Sequence, residues 1–165
     1  VDFGSLLKVV AFDSQISEFC FNAKFCAVDF LLEELEKETT TWKIVTAHHP
    51  LTSASVKGYS HTGGFRGIFL KPLLCVDTDL YIAGHSHHME YRALEDCRMD
   101  LVVSGGGGAK LYEVQTNSGA TFAKSAHGFF EIEASRKTLE MKFIGKNGEV
   151  LFSQSKEPAN RSDDD

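Results

Sequence analysis

Three prolines in 165 residues are too few for a collagen-like chain or a proline-rich linker. An apolar content of 42% against 24% charged residues leaves little room for general disorder. No apolar run approaches the roughly 20 residues of a membrane-spanning helix, and the first residues carry no basic stretch followed by an apolar core of the signal-peptide kind. Positive charge is also scarce. Seventeen Lys and Arg against 23 Asp and Glu give a net charge of −6, which argues against a general affinity for nucleic acid or an anionic membrane. An anionic substrate must therefore be met by a local cation. No Cys-x-x-Cys pair occurs, and Cys20, Cys26, Cys75 and Cys97 are sparse, so thiols are expected in preference to disulfides; in an oxidising compartment a Cys20–Cys26 link across a short loop is open.

The length fits one domain of ordinary size. A β-branched run at 8–12 reads as a buried strand closed at Asp13 and Ser14. Over 27–38, Val28, Leu31, Leu32 and Leu35 recur at three and four while Glu33, Glu34, Glu36 and Glu38 face outward, the pattern of an amphipathic helix with a solvated acidic face. A second buried strand is expected at 42–47, a helix at 67–76 despite Pro72, and a third strand at 79–83 ending at Gly84. Strands alternating with helices at this spacing predict parallel pairing through helical crossovers. Beyond Gly84 only strands are expected, at 89–94, 99–104, 128–134, 138–144 and 149–153, the last two joined by a hairpin turn at Lys146, Asn147 and Gly148. Residues 111–122 read as a long loop, and 156–165 as a disordered polar tail.

Six of the seven histidines lie between His48 and His88. His48 and His49 follow the strand expected at 42–47, and His85, His87 and His88 follow the one expected at 79–83, so both groups sit at strand carboxyl ends, where open α/β sheets bind their ligands. In an extended backbone His85 and His87 project to the same side, toward one cation or two neighbouring ones, while His88 points away. Neutral imidazole is a common ligand for zinc, iron and manganese.

Ala47, His48, His49 and Pro50, then Gly84, His85, Ser86, His87 and His88, then the run from Val103 to Gly107 together resemble the last three blocks of the calcineurin-like metallophosphoesterases, whose pattern is Gly-His followed by Gly-His-x-His. The helix before the first block, the segment at 72–74 and the closing strands from Gly128 sharpen the resemblance toward purple acid phosphatases of the small, tartrate-resistant type, over residues 8–155. It implies the C-terminal half of a four-layer α/β/β/α sandwich with mixed β-sheets across 1–155, the N-terminal half being absent. It also implies hydrolysis of a small phosphate monoester at a centre of two metal ions, Fe with Fe, Zn or Mn. By the family pattern His48 and His85 bind one ion and His87 the other, and His61 faces the substrate as a phosphate-positioning group or general acid. A secreted or lysosome-like compartment is likewise implied only by resemblance.

Departures from the pattern are Ala47 for the first glycine, Ser86 for a frequent aspartate, His88 for a frequent asparagine, and a longer loop around His61. The family's Asp-x-His, Gly-Asp and Gly-Asn-His blocks, with their bridging aspartate, are not in this chain, so the remaining ligands are expected upstream and the chain as given is expected to be inactive. Rival readings are a non-catalytic binding module that keeps the fold, and a phosphodiesterase or nucleotidase. Asp13 reads equally as a cap or as support for the site. Asp77 and Asp79 read as solvated and His127 as structural. The glycines at 105–108 read as a tight turn in preference to a phosphate loop, for no helix with Lys-Ser/Thr follows. A triad of Ser60, His61 and Asp77 lacks the nucleophile elbow it would need.

Overall fold

The computed structural model describes residues 1–14, 26–37, 40–56 and 66–158. In chain order the elements are β1 (Asp2–Phe3), β2 (Leu7–Ala11), α1 (Cys26–Glu36), β3 (Trp42–Ala47), a π-helical turn (Arg66–Leu70) running into α2 (Lys71–Cys75), then β4 (Leu80–Ala83), β5 (Met89–Arg92), β6 (Asp100–Ser104), β7 (Phe122–Lys124), β8 (Gly128–Ala134), β9 (Leu139–Gly145) and β10 (Val150–Lys156). Seven strands form one mixed sheet in the order β1-β2-β3-β4-β6-β5-β7, and β10-β9-β8 form an antiparallel second sheet. The expected parallel pairing of β2, β3 and β4 is present, with Ala11 beside Thr46 and Ala47 beside Ala83, and β6 extends it in parallel beside β4, which the sequence pattern does not predict. The β9–β10 hairpin forms around the expected turn.

Alternation along the strands makes two cores. Val45 of β3, Tyr81 of β4 and Leu101 of β6 face Leu31 and Leu35 of α1 and Leu70 and Leu74 of the second helical segment. Their neighbours Trp42, Ile44, Leu80 and Val102 point the other way and pack on Leu139, Met141 and Phe143 of β9. The result is helices on a seven-stranded sheet on a three-stranded sheet, a mixed α/β architecture consistent with the C-terminal part of an α/β/β/α sandwich. Trp42 adds a specific tie between the sheets, its Nε1–H donating to the Ser135 carbonyl at 2.6 Å.

α1 carries no basic residue in its last turn, and the cations that a helix C-terminus favours come from the sheet beneath it. Buried Lys8 donates to the Glu34 carbonyl at 3.1 Å and lies 3.4 Å from its carboxylate. Buried Lys43 donates to the Leu35 carbonyl and pairs with Asp77.

Three expectations need correction. Asp79 is not solvated: it is fully buried, binds Arg98 at 2.6 Å and accepts the Lys43 backbone N–H at 2.7 Å, because a charge from a turn 19 residues downstream folds over it. Cys75 and Cys97 are not thiols but a disulfide that fastens the end of α2 to the turn before β6. The segment expected to be a loop at 111–122 ends in a strand, with Phe122 opening β7. In addition, Lys156 closes β10, and its ammonium binds Asp100 at 2.8 Å; β10 thus reaches into the expected polar tail.

Candidate metal centre

Four parallel strands deliver their carboxyl ends to one place. β2 brings Asp13 and Ser14, β3 brings His48 and His49, β4 brings Gly84 and His85, and β6 brings the glycine run from Gly105. The Gly84 N–H donates to the His48 carbonyl at 3.1 Å, extending the β3–β4 ladder just past the strands. This sets the two histidine groups side by side.

His48 Nε2 and His85 Nδ1 lie 3.1 Å apart. His49 completes a trio: its ring centroid is 4.8 Å from that of His48 and 4.5 Å from that of His85, and one ligand atom from each of the three lies within 4.8 Å of the others. His48 is exposed, His85 half-buried and His49 buried. His85 adopts φ 56°, a left-handed backbone that costs a residue with a Cβ about 1–3 kcal/mol and clusters at functional sites. The arrangement suits a cation, since two imidazole nitrogens at this separation can share one ion without rebuilding the backbone.

His49 is anchored from below. Ser14 Oγ lies 2.9 Å from its Nδ1 and accepts its backbone N–H at 3.1 Å, and the Tyr81 hydroxyl donates to its carbonyl at 2.8 Å. Neither Ser14 nor His49 is among the ligands implied by the sequence. The available signal was that both follow strand ends that parallel pairing places next to each other.

The loop from His85 to His88 alternates. His85 and His87 are half-buried, whereas Ser86 and His88 are fully enclosed. Ser86 meets Ser53, Oγ to Oγ, at 3.1 Å, and His88 Nε2 lies 2.9 Å from Glu90. His87 stands outside the trio and is held separately: its Nδ1 is 2.9 Å from the Lys110 carbonyl, its ring stacks on Tyr112 at 4.4 Å, and its own carbonyl accepts the Tyr112 N–H at 2.8 Å. A carbonyl can only accept, so Nδ1 of His87 carries the proton and the lone pair of the neutral ring is on Nε2. Lys110 and Tyr112, from the segment after the glycine run, hold the His87 ring and have no sequence signature of their own.

Glu90 lies behind this loop. Burial would raise its pKa, but hydrogen bonds from His88, the Ala54 N–H and Arg92 outweigh that and hold the carboxyl below its ordinary value. His127 binds the Gly106 carbonyl through Nδ1 at 3.1 Å, and Asp13 is exposed at the end of β2. His61, like Ser60, lies outside the described residues.

No protein-family model matches the chain. Among curated proteins it is 29% identical over 128 residues to purple acid phosphatase 4 of Arabidopsis thaliana, covering 73% of this chain and 37% of that protein. It is 30% identical over 135 residues to purple acid phosphatase 3 of the same plant, covering 76% and 36%. The chain thus spans a little over a third of the length of these relatives. Among solved structures, purple acid phosphatase PPD1 from yellow lupin superposes with a TM-score of 0.78 at 18% identity, over 94% of this chain and 31% of that one. GAP50, described as the anchor in the inner membrane complex of Plasmodium, superposes with a TM-score of 0.78 at 24% identity, over 94% and 50%. In sequence and in fold, the chain resembles the C-terminal part of the purple acid phosphatases, within the calcineurin-like metallophosphoesterases.

Proposed function

From its resemblance to the C-terminal part of the purple acid phosphatases, we propose that this chain supplies the histidine side of a metal-dependent phosphoric monoester hydrolase. The remaining ligands belong to the portion of those relatives that this chain does not span. The observation that carries this reading is the 3.1 Å approach of His48 and His85 at the ends of two neighbouring parallel strands. His48 and His85 hold one ion and His87 the other, the pair being Fe with Fe, Zn or Mn, all of which accept imidazole. When bound, two such ions supply Lewis-acid charge to the phosphoryl oxygens and acidify the water that attacks phosphorus in line.

The chain's own residues do the positioning. The Lys110 carbonyl and the Tyr112 ring fix the orientation of His87, Ser14 holds His49, and the Ser53–Ser86 contact pins the loop between His85 and His87. His61 protonates the leaving oxygen of a small phosphate ester. The Cys75–Cys97 disulfide supports an oxidising compartment, in keeping with a secreted or lysosome-like setting.

A non-catalytic module is the second reading. GAP50, described as an anchor, reaches the same TM-score as the lupin phosphatase, and a fold does not entail a chemistry. The deciding experiment compares hydrolysis of an activated aryl phosphate, from acid to neutral pH with added zinc, iron or manganese, by the 165-residue chain and by a longer protein carrying upstream Asp-x-His, Gly-Asp and Gly-Asn-His blocks. Metal-dependent turnover by the longer protein alone is expected. No turnover by the longer protein overturns the hydrolase reading and favours the module. Comparable turnover by both overturns the division of ligands.

A further inference from the structure

We propose that the 165-residue chain by itself binds one divalent cation of the zinc class, held by His48, His49 and His85. This deepens the reading above by adding His49 to the ion shared by His48 and His85, yet it does not depend on any turnover.

Two imidazole nitrogens on one tetrahedral zinc, each at about 2.0–2.1 Å, lie about 3.4 Å apart. His48 Nε2 and His85 Nδ1 are already at 3.1 Å. One ligand atom from each of the three histidines lies within 4.8 Å of the others, so reaching tetrahedral spacing asks for at most about 1.4 Å of ring movement, available at the broad terminal torsion of histidine. The His49 ring is the best supported of the three. Ser14 Oγ sits on His49 Nδ1, and both Ser14 and Tyr81 hold the backbone of the same residue. A hydroxyl that takes the Nδ1 proton directs Nε2 to the ion, the usual division of labour at a metal-bound imidazole.

The geometry around the trio points the same way. The His48 and His85 rings meet edge to face with centroids 5.0 Å apart, and His49 is tilted against His85 at 50°. Three rings therefore converge on one space and do not lie flat on one another. His85 reaches that space only through a left-handed backbone, a conformation that needs a reason at a residue with a Cβ. Three neutral nitrogen donors select zinc, cobalt, nickel or copper over magnesium or calcium, which want oxygen. The fourth position is left to water, and no carboxylate of an upstream segment is required to keep a single ion in place.

The test is titration of the purified 165-residue chain with Zn²⁺ by calorimetry, with metal analysis after gel filtration and Co²⁺ absorption as a report on coordination. One ion per chain is expected, with an intense tetrahedral Co²⁺ band. His49→Gln should weaken zinc binding at least 10-fold and bleach that band. Ser14→Ala, which keeps every ligand and removes only the support, should weaken it by about 10-fold, while His127→Gln should leave it unchanged. If His49→Gln loses its folded circular dichroism spectrum, Ser14→Ala decides. Wild-type affinity in a folded His49→Gln, or in Ser14→Ala where that variant decides, overturns the assignment, as does the absence of saturable binding at one equivalent. These outcomes are separate from hydrolysis: zinc bound by the trio in a longer protein that turns over no ester would sink the proposed function and leave this inference standing.

Discussion

Gly105 passes so close to Ser86 that a Cβ at position 105 would lie 1.9 Å from the Ser86 carbonyl oxygen and 3.2 Å from the His87 Cα. The obstacle is backbone and cannot step aside as a flexible side chain would. Gly105→Ala must therefore push the end of β6 away from the loop that carries His85 and His87. Overpacking of this kind costs about 1–3 kcal/mol, and a chain of this size loses about 2–4 °C in Tm per kcal/mol. Gly107→Ala, where nothing lies within 4 Å, is the matched control. Equal melting of the two variants would contradict the close approach.

Glu90 makes stability depend on acid. Although burial raises its pKa, the hydrogen bonds from His88, Ala54 and Arg92 win, and the folded value lies below 4.5. Its contribution is therefore complete above pH 4.5 and is lost as the pH falls through the folded value. Glu90→Gln should be less stable than the parent at pH 7, and the gap should narrow toward pH 3. Urea midpoints at a series of pH values measure this, and a gap independent of pH would refute it.

The Cys75–Cys97 bond spans a sequence separation of 22. Closing a loop of that size restrains the unfolded chain by about 3 kcal/mol in the chain-entropy account. The double variant Cys75→Ser with Cys97→Ser should melt below the parent in non-reducing buffer and match it in strong reductant. Alkylation of denatured, unreduced parent protein should leave these two cysteines unlabelled by mass spectrometry.

In a longer, metal-loaded protein, His87→Ala should lose at least one ion, because a ligand missing from a small set is poorly replaced by water. His61→Ala should keep both ions and lower turnover by about 10²-fold if the imidazole acts as a general acid. Metal analysis beside kcat separates the two roles. Retention of both ions in His87→Ala would remove that residue from the ligand set.

Much of the fold was legible because hydrophobic alternation is a local signal. The bounds of β3 at Trp42 and Ala47 and of β8 at Gly128 and Ala134 are those read from the sequence. What escaped was set by partners remote in the chain. β7 is three residues long and is recognisable as a strand only beside β5. Asp79 looked like a surface acid until Arg98 closed on it, and Cys75 has no local mark that selects Cys97. At the site, strand ends rich in histidine were readable, whereas the Ser14 contact to His49 and the Tyr112 stack on His87 exist only after the sheet has formed.

The register of β3 against β4 bears on how the histidine pair tolerates change. His48 comes one residue after Ala47 and His85 two residues after Ala83, and those alanines face each other across a parallel ladder. The backbone anchors of the pair are consequently held by the spacing of adjacent strands, about 4.8 Å, a length that backbone hydrogen bonds impose and that no side chain can retune. The sheet acts as a calliper whose jaws are the two strand ends. Alanine at 47 and serine at 86 alter what surrounds the jaws but not their opening.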